Sequence, residues 1–303
     1  MGLPEHATPL ERVWRWTYLA LCAAIFVFLI APILVIVPLS FNAEPYFTFT
    51  EAMLSLDPAG YSTRWYERLL TFGMEAPGAP RDRSWWADAW ANADWVRAAK
   101  NSLLIGICST VVATALGTLA ALGLSRPEMP YRRAIMAVLI SPMIVPIIIT
   151  ATGLFFFYSS TGLANSYAGI VLAHATLGIP FVIITVTATL VGFDHGLTRA
   201  AASLGADPVT TFRKITLPLI LPGVISGALF AFVTSFDEVV VVLFVAAHDQ
   251  QTIPRQMWNG IREQISPAIL AVATILVIVS IGLLATVEIL RRRSERLRGV
   301  APA

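Results

Sequence analysis

Residues Asp194–Pro218 read DHGLTRAAASLGADPVTTFRKITLP, an Ala-rich core with charge at both ends, set between two long apolar runs. Asp194 is a residue type that caps helix N-termini, and Gly205 suits the position after a helix end. Asp207-Pro208 has the pattern of an N-cap followed by the first helical residue. The stretch therefore predicts helix, tight turn, helix, and Pro218 falls where the next apolar segment begins. Between membrane spans such a structured loop of small residues is either a docking surface or an ordinary connector. Its chemistry alone leaves both open.

Working outward, composition sets the class. Hydrophobic residues make up 56% and charged residues 13% of the 303, against about 25% charged in soluble domains. Uncharged runs cover Trp16–Ala43, Asn101–Ser125, Ala134–Phe193, Ile215–Phe236 and Gln264–Val287. A membrane helix needs roughly 20 apolar residues, and the run from Ala134 to Phe193 is long enough for two. The polar stretch Tyr158–Asn165 divides it. The expectation is an all-α membrane protein of six transmembrane helices, a single domain over residues 1–303. The first span is too long for a signal h-region and lacks a clean cleavage site, so it reads as uncleaved.

Lys and Arg in short loops set orientation. Arg12 and Arg15 precede the first span; Arg126, Arg132 and Arg133 follow the second; Arg199, Arg213 and Lys214 follow the fourth. Arg291, Arg292, Arg293, Arg296 and Arg298 follow the sixth. With an even number of spans all these sites share one side, the cytoplasm, and both termini lie inside. The net charge of +2 is accounted for by these loops and calls for no nucleic-acid partner. Cys22 and Cys108 lie inside apolar runs, which suggests neither a disulfide framework nor a metal site.

Residues 44–100 form the one sizeable polar segment and fall outside. Five of the eight tryptophans are here: Trp65, Trp85, Trp86, Trp90 and Trp95. Two amphipathic pieces, Ser62–Leu70 and Ser84–Lys100, are joined by a turn-rich Gly73–Pro80. Tryptophan at a membrane boundary is anchoring chemistry; contact with a ligand or binding protein is the alternative. In the loop Ala247–Ser266, Pro254 is placed to open a short helix, with Ile253, Met257, Ile261 and Ile265 on one face and Trp258 beside it. A face of this kind packs on neighbouring helices.

The fifth span ends in SFDEVVVVLFV, which places Asp237 and Glu238 about 19 residues beyond Pro218, in the outer part of the bilayer. Carboxylates at such depth cost a few kcal/mol and face a cavity or a partner. They either pair with Arg255 or Arg262, or form a polar ring with Ser235 and Phe236 that receives a cation.

The Asp194–Pro218 stretch resembles the loop pattern E-A-A-x3-G-x9-I-x-L-P of ABC importer permeases. Ala200, Ala201, Gly205, Ile215, Leu217 and Pro218 match at the right spacing; Arg199 stands where the family has Glu. The resemblance implies a coupling helix seated in a groove of an ATPase subunit, and the reversed charge implies that the partner's groove differs there or the contact is lost. SFDEVVVVLFV, RWYERLL at Arg64–Leu70, AAKNSLLIG at Ala98–Gly106 and the Ile253-Pro254, Ser266-Pro267 and Ala273-Thr274 pieces look like the spermidine/putrescine-type permeases. That branch has the six-helix MetI-like architecture. Residues 98–290 would be its permease core, 194–218 the coupling loop and Phe72–Ala91 an insertion in the extracytoplasmic segment 44–100.

A P-loop needs Gly-x4-Gly-Lys followed by Ser or Thr. The only lysines, Lys100 and Lys214, are followed by Asn101 and Ile215. No nucleophile elbow or Cys/His cluster is present either, so no catalytic residues and no enzyme activity are expected of this chain. The resemblance implies that ATP is bound by two partner ATPase subunits. It also implies a second permease subunit, expected to be a different chain, an extracytoplasmic binding protein met by Trp258, Met257 and Arg255 of the Ala247–Ser266 loop, surrounding membrane lipid and a polyamine-like cationic solute. Permeases for ferric iron, thiamine or organophosphonates share the loop and are the rival solute classes. A secondary transporter or channel working alone would show matching halves, which six spans here do not. A membrane-anchored subunit without transport is the third class, and the coupling pattern argues against it.

Overall fold

The computed structural model describes residues 8–126, 128–263 and 265–297. Of the C-terminal arginine cluster, Arg298 lies outside them. Regular structure among the described residues is helical, with one isolated bridge between Asn42 and Tyr61. Helices α1 (Pro9–Leu39), α2 (Glu51–Leu54), α3 (Arg64–Thr71), α4 (Arg83–Asn92) and α5 (Asp94–Leu124) come first. Then follow α6 (Arg132–Ile144), α7 (Ile147–Thr161), α8 (Tyr167–Val191) and α9 (His195–Ser203). The chain continues with α10 (Pro208–Thr211), α11 (Leu217–Phe236), α12 (Val240–Val245), α13 (Ile253–Glu263) and α14 (Ala268–Leu297).

Helix α10 runs into α11 through a π-helical stretch, Phe212–Thr216, making one rod from Pro208 to Phe236. The Leu217 N–H reaches back five residues to the Phe212 carbonyl. The wide turn falls immediately before Pro218, which has no N–H to give to the α-helical pattern.

Among the described residues four helices are long and apolar enough to cross a membrane: α1, α5, α8 and the Pro208–Phe236 rod. The α6–α7 pair, bent by 101°, makes a fifth if it counts as one span. The expected sixth span falls on α14, where the described apolar stretch Ala268–Gly282 is shorter than the others. The run from Ala134 to Phe193 was expected to hold two helices and holds three. Val145 precedes Pro146 and takes an extended conformation, φ −68° and ψ 134°. A residue before proline is pushed out of the helical region in this way, so the chain bends there. The second break lies where expected, with left-handed Gly162 and Asn165 between α7 and α8.

The chain divides into two compact units, one of residues Met1–Phe72 with Gly260–Ala303, the other of Gly73–Asn259. In the first, Thr8 and Glu11 form a reciprocal capping box that starts α1, with Pro9 at the first turn. Asn42 is fully buried and organises the segment after α1. Its amide donates to the Tyr46 and Thr48 carbonyls, its Oδ1 accepts from the Glu44 N–H, and its own carbonyl accepts from Trp65 Nε1 at 2.7 Å. Ser40 and Tyr66 share a 2.7 Å hydrogen bond beside it.

In the second unit α5, α8 and the Pro208–Phe236 rod cross closely, and small residues set the spacing. A Cβ on Gly178 of α8 would lie 2.9 Å from the Ala231 Cβ and 3.2 Å from the Ala113 Cβ; one on Gly117 of α5 would lie 2.7 Å from the Val182 Cβ. Such small-residue contacts are how helices associate where no hydrophobic gain drives them together. The short helix α12 is buried at Val241, Val242 and Val245 and packs on Ile105, Tyr158, Ile170 and Leu177.

The polar segment is more structured than its sequence suggests. The expected piece Ser84–Lys100 is broken at Ala93, an extended residue (ψ 121°) that ends α4 and starts α5. Asp88 accepts from the Glu75 and Ala76 N–H groups and from Asn92, fastening the turn-rich stretch onto α4. Trp65, Trp85 and Trp95 are buried, and only Trp86 and Trp90 are left exposed.

Candidate coupling segment and polar pathway residues

Helix α9 is capped at both ends as the residue types require. The Asp194 carboxylate accepts from the Gly196 N–H at 2.7 Å. At the other end the Ala206 N–H bonds to the Ala201 carbonyl and the Gly205 N–H to the Ala202 carbonyl, both at 3.0 Å. This pair of bonds is the Schellman arrangement, and it needs a left-handed residue at its centre. Gly205 supplies it with φ +81°.

Asp207 then starts the next helix, accepting from the Val209 and Thr210 N–H groups at 2.9 and 3.0 Å and from the Thr210 hydroxyl at 2.7 Å. The Thr210 hydroxyl, and after it the Thr210 amide, hold its carboxyl below the usual carboxylate range. Of the motif residues, Ala201 is buried, while Arg199, Ala200, Gly205 and Pro218 are exposed and Ile215 and Leu217 are half-buried. The segment is a helix–turn–helix capped at each start, with Leu197, Leu204 and Val209 exposed.

Asp237 and Glu238 do not lie within a helix, as the sequence suggested. Phe236 is the last residue of α11, and both acids occupy the short break before α12. The break serves Glu238, whose buried side chain accepts from the Val241 N–H at 2.8 Å and so caps α12. Asp237 is exposed. Arg255 does not reach these carboxylates. Its guanidinium donates to the Val242 and Ala246 carbonyls at 2.8 and 3.0 Å, satisfying the other end of α12. Phe236 stacks on Phe232 with ring centroids 5.7 Å apart.

Ser235 is buried and joins three helices. Its Oγ lies 2.8 Å from Nδ1 of His174 on α8 and 2.9 Å from Oγ of Ser109 on α5. His174 and Ser109 were not singled out in the sequence. The available signal was a lone imidazole in the middle of the Ala134–Phe193 run, because polar groups inside apolar spans are rarely idle.

The loop before α13 is fixed from below by α5. Asn101 donates to the Asp249 and Gln251 carbonyls, both at 2.9 Å, and accepts from the Tyr167 hydroxyl. Ser102 accepts from the Ile253 N–H at 2.8 Å. Helix α13 forms where expected, but its apolar stripe is only partly covered. Ile253 is buried and Met257 half-buried, whereas Trp258 and Ile261 are exposed; Ile265 lies past the end of the helix at Glu263 and is not on its face. The stripe is a packing face at its start and an open face further along.

A bundle of apolar helices crossing at small residues, with a doubly capped helix–turn–helix between two of them, is the fold of an importer permease subunit. The family model described as the binding-protein-dependent transport system inner membrane component matches residues 113–297. The chain belongs to that family, which is a transport family and not an enzyme family.

The spermidine/putrescine transport system permease protein PotC of Haemophilus influenzae is 31% identical over 271 residues, 89% of this chain and 95% of the relative. The putrescine transport system permease protein PotI of Escherichia coli K12 is 31% identical over 311 residues, 100% of this chain and 98% of the relative. Among solved structures, a bacterial ABC transporter involved in alginate import gives a TM-score of 0.66 at 16% identity. That match covers 95% of this chain and 99% of the other. The inward-facing MetNI methionine ABC transporter gives 0.50 at 20% identity, over 65% and 94%.

Proposed function

We propose that this permease forms half of the pathway of an ATP-driven importer for polyamines of the spermidine/putrescine kind. Six spans would place Asp194–Pro218 and both termini in the cytoplasm and residues 44–100 outside, in a bacterial inner membrane. The observation that carries the energy-coupling half of the reading is the capped α9–Gly205–α10 segment. A stiff element between two crossing spans transmits a push, whereas a loose connector absorbs it. The solute class is carried by two relatives named for polyamines that each align over most of the chain.

In this reading two ATPase subunits bind the ATP, a second permease completes the pathway and an extracytoplasmic binding protein delivers the solute. Closure of the ATPase pair moves α9 and the Pro208–Phe236 rod, which swings α5, α8 and α11 together because small residues lock them at their crossings. The outward cavity opens, and hydrolysis resets it. Asp237, with Ser235 and Phe236 beside it, offers carboxylate and aromatic character to a cation. Met257, Trp258 and the open end of α13 offer a face to the binding protein.

The test is reconstituted uptake with a solute panel of spermidine, putrescine, ferric iron, thiamine and an organophosphonate. ATP-dependent uptake of the polyamines alone is expected. Uptake without an ATPase, or of another member of the panel only, defeats the proposal.

A further inference from the structure

Below the crossing of α5, α8 and the π-helical stretch lies an open cleft of about 740 Å³ whose lining includes Arg126, Arg199, Glu128, Thr198, Ala202 and Phe212. Arg199 and Ala202 lie three residues apart on α9, one turn along the same face. Arg126 comes from the end of α5, so two guanidinium groups from separate elements converge on one cleft with a single carboxylate, Glu128. Neither guanidinium has a hydrogen bond or ion pair among the described residues. The other nearby acids are engaged, Asp194 and Asp207 each capping backbone amides. Close in sequence to the lining residues Glu128 and Phe212, Arg132, Arg133, Arg213 and Lys214 are also exposed, so the segments that line the cleft are rich in basic residues. Beside it Leu204 projects from the Schellman turn, 88% exposed.

We infer that this cleft receives an acidic side chain of the ATPase subunit, with Leu204 as the apolar contact next to it. The inference rests on the coupling reading above and adds the partner's charge. The groove that meets Arg199 carries Asp or Glu, so Arg199 is the determinant that matches this permease to its own ATPase. Arginine suits the role because its planar fork pairs with a carboxylate through two parallel hydrogen bonds. Like charges brought together across an interface suppress the wrong partner. A permease with Glu at this position would be repelled by the same groove.

The experiment uses the full permease assembly in nanodiscs of phosphatidylcholine, and in a second series with phosphatidylglycerol added, titrated with the ATPase subunit that co-purifies with it. Arg199→Glu and Arg126→Glu should each weaken association about tenfold or more, and Arg199→Lys by less, because it keeps the charge but loses the two-pronged fork. The thermal midpoint of each permease should stay unchanged, since both side chains are exposed. Added salt should narrow the gap between wild type and Arg199→Glu. An acidic-to-Lys substitution in the ATPase groove should restore binding to Arg199→Glu.

Wild-type affinity for Arg199→Glu, with Gly205→Val still uncoupling transport, overturns the inference and leaves the coupling reading standing. If no ATPase subunit co-purifies with the wild-type permease, both are overturned. A loss seen only when the nanodiscs contain phosphatidylglycerol assigns the cleft to an acidic lipid headgroup and overturns the inference as well.

Discussion

Ser235 Oγ lies 2.8 Å from His174 Nδ1, between two spans and out of reach of solvent, with Ser109 Oγ 2.9 Å away on a third. One hydroxyl therefore ties α11 to α8 and α5 just above the crossing set by Gly178 and Ala231. Interhelical hydrogen bonds in membranes average only about 0.6 kcal/mol, but removing the hydroxyl leaves a buried ring nitrogen unpaired, at about 1–3 kcal/mol. Ser235→Ala is expected to destabilise the solubilised permease by about 1 kcal/mol, and Ser109→Ala by less. Thermal unfolding in detergent measures both. Equal and negligible effects would show that the three side chains are neighbours without being a link.

The Schellman turn predicts a separable defect. Gly205 sits at φ +81°, and a Cβ there has open space around it, so the penalty for another residue is conformational and not steric crowding. That penalty is about 1 kcal/mol or more, and it is heaviest for a β-branched residue. Gly205→Val should insert and purify normally while transport and solute-stimulated ATP hydrolysis fall together. Unaltered coupling in that variant would make the segment a passive connector.

Asp207 gives the α9–α10 segment a pH dependence whose sign follows from its lowered carboxyl. Its carboxyl is held below its ordinary value by Thr210, so the cap contributes fully above the ordinary carboxylate range. The contribution is lost as pH falls through the lowered value. Between pH 5 and pH 8 this group should impose no change on coupling. Asp207→Asn keeps an acceptor and should behave nearly as wild type, whereas Asp207→Ala should expose the Val209 and Thr210 amides. Hydrogen exchange at those two amides distinguishes them; equal protection in the alanine variant would remove Asp207 from the argument.

How much of this was legible in the sequence depended on how local the signal was. The α9 caps, Gly205 and the Asp207-Pro208 start are fixed by residues within a few positions of one another, and all were readable. The Val145-Pro146 bend was also written in a dipeptide, but the length of the apolar run concealed it. The fates of Asp237 and Glu238 were not readable, because identical carboxylates diverge only when α12 folds back and offers Glu238 the Val241 amide. Arg255 likewise looked like a partner for those acids until the end of α12 supplied two carbonyls. Trp65 and Trp85 read as interface anchors for the same reason: their burial depends on partners that are distant in sequence or held by turns. His174, Ser109 and the Asn101 anchor of Asp249 and Gln251 are meetings of residues tens to more than a hundred positions apart, which no single-sequence periodicity carries.

The two acids after α11 now separate into different experiments. Glu238 is buried and already has a task, so Glu238→Ala should unseat α12 and lower stability. Glu238→Gln retains an oxygen for the Val241 N–H and should be far milder. Asp237 is exposed, one residue past the aromatic pair Phe232–Phe236, and makes no side-chain hydrogen bond within 3.5 Å among the described residues. A polyamine must shed water from two or more ammonium groups to enter a pathway walled by apolar helices, and a fixed carboxylate that keeps access to cations offsets part of that cost. Asp237→Asn is therefore expected to reduce polyamine uptake at least about tenfold, the equivalent of about 1.4 kcal/mol. Expression, thermal midpoint and basal ATP hydrolysis should stay unchanged. Uptake of a neutral solute analogue, if the pathway passes one, should fall much less. Full polyamine uptake by the Asp237→Asn, Glu238→Gln double variant would take the cation site away from this break and place it on the second permease or elsewhere along α5 and α8.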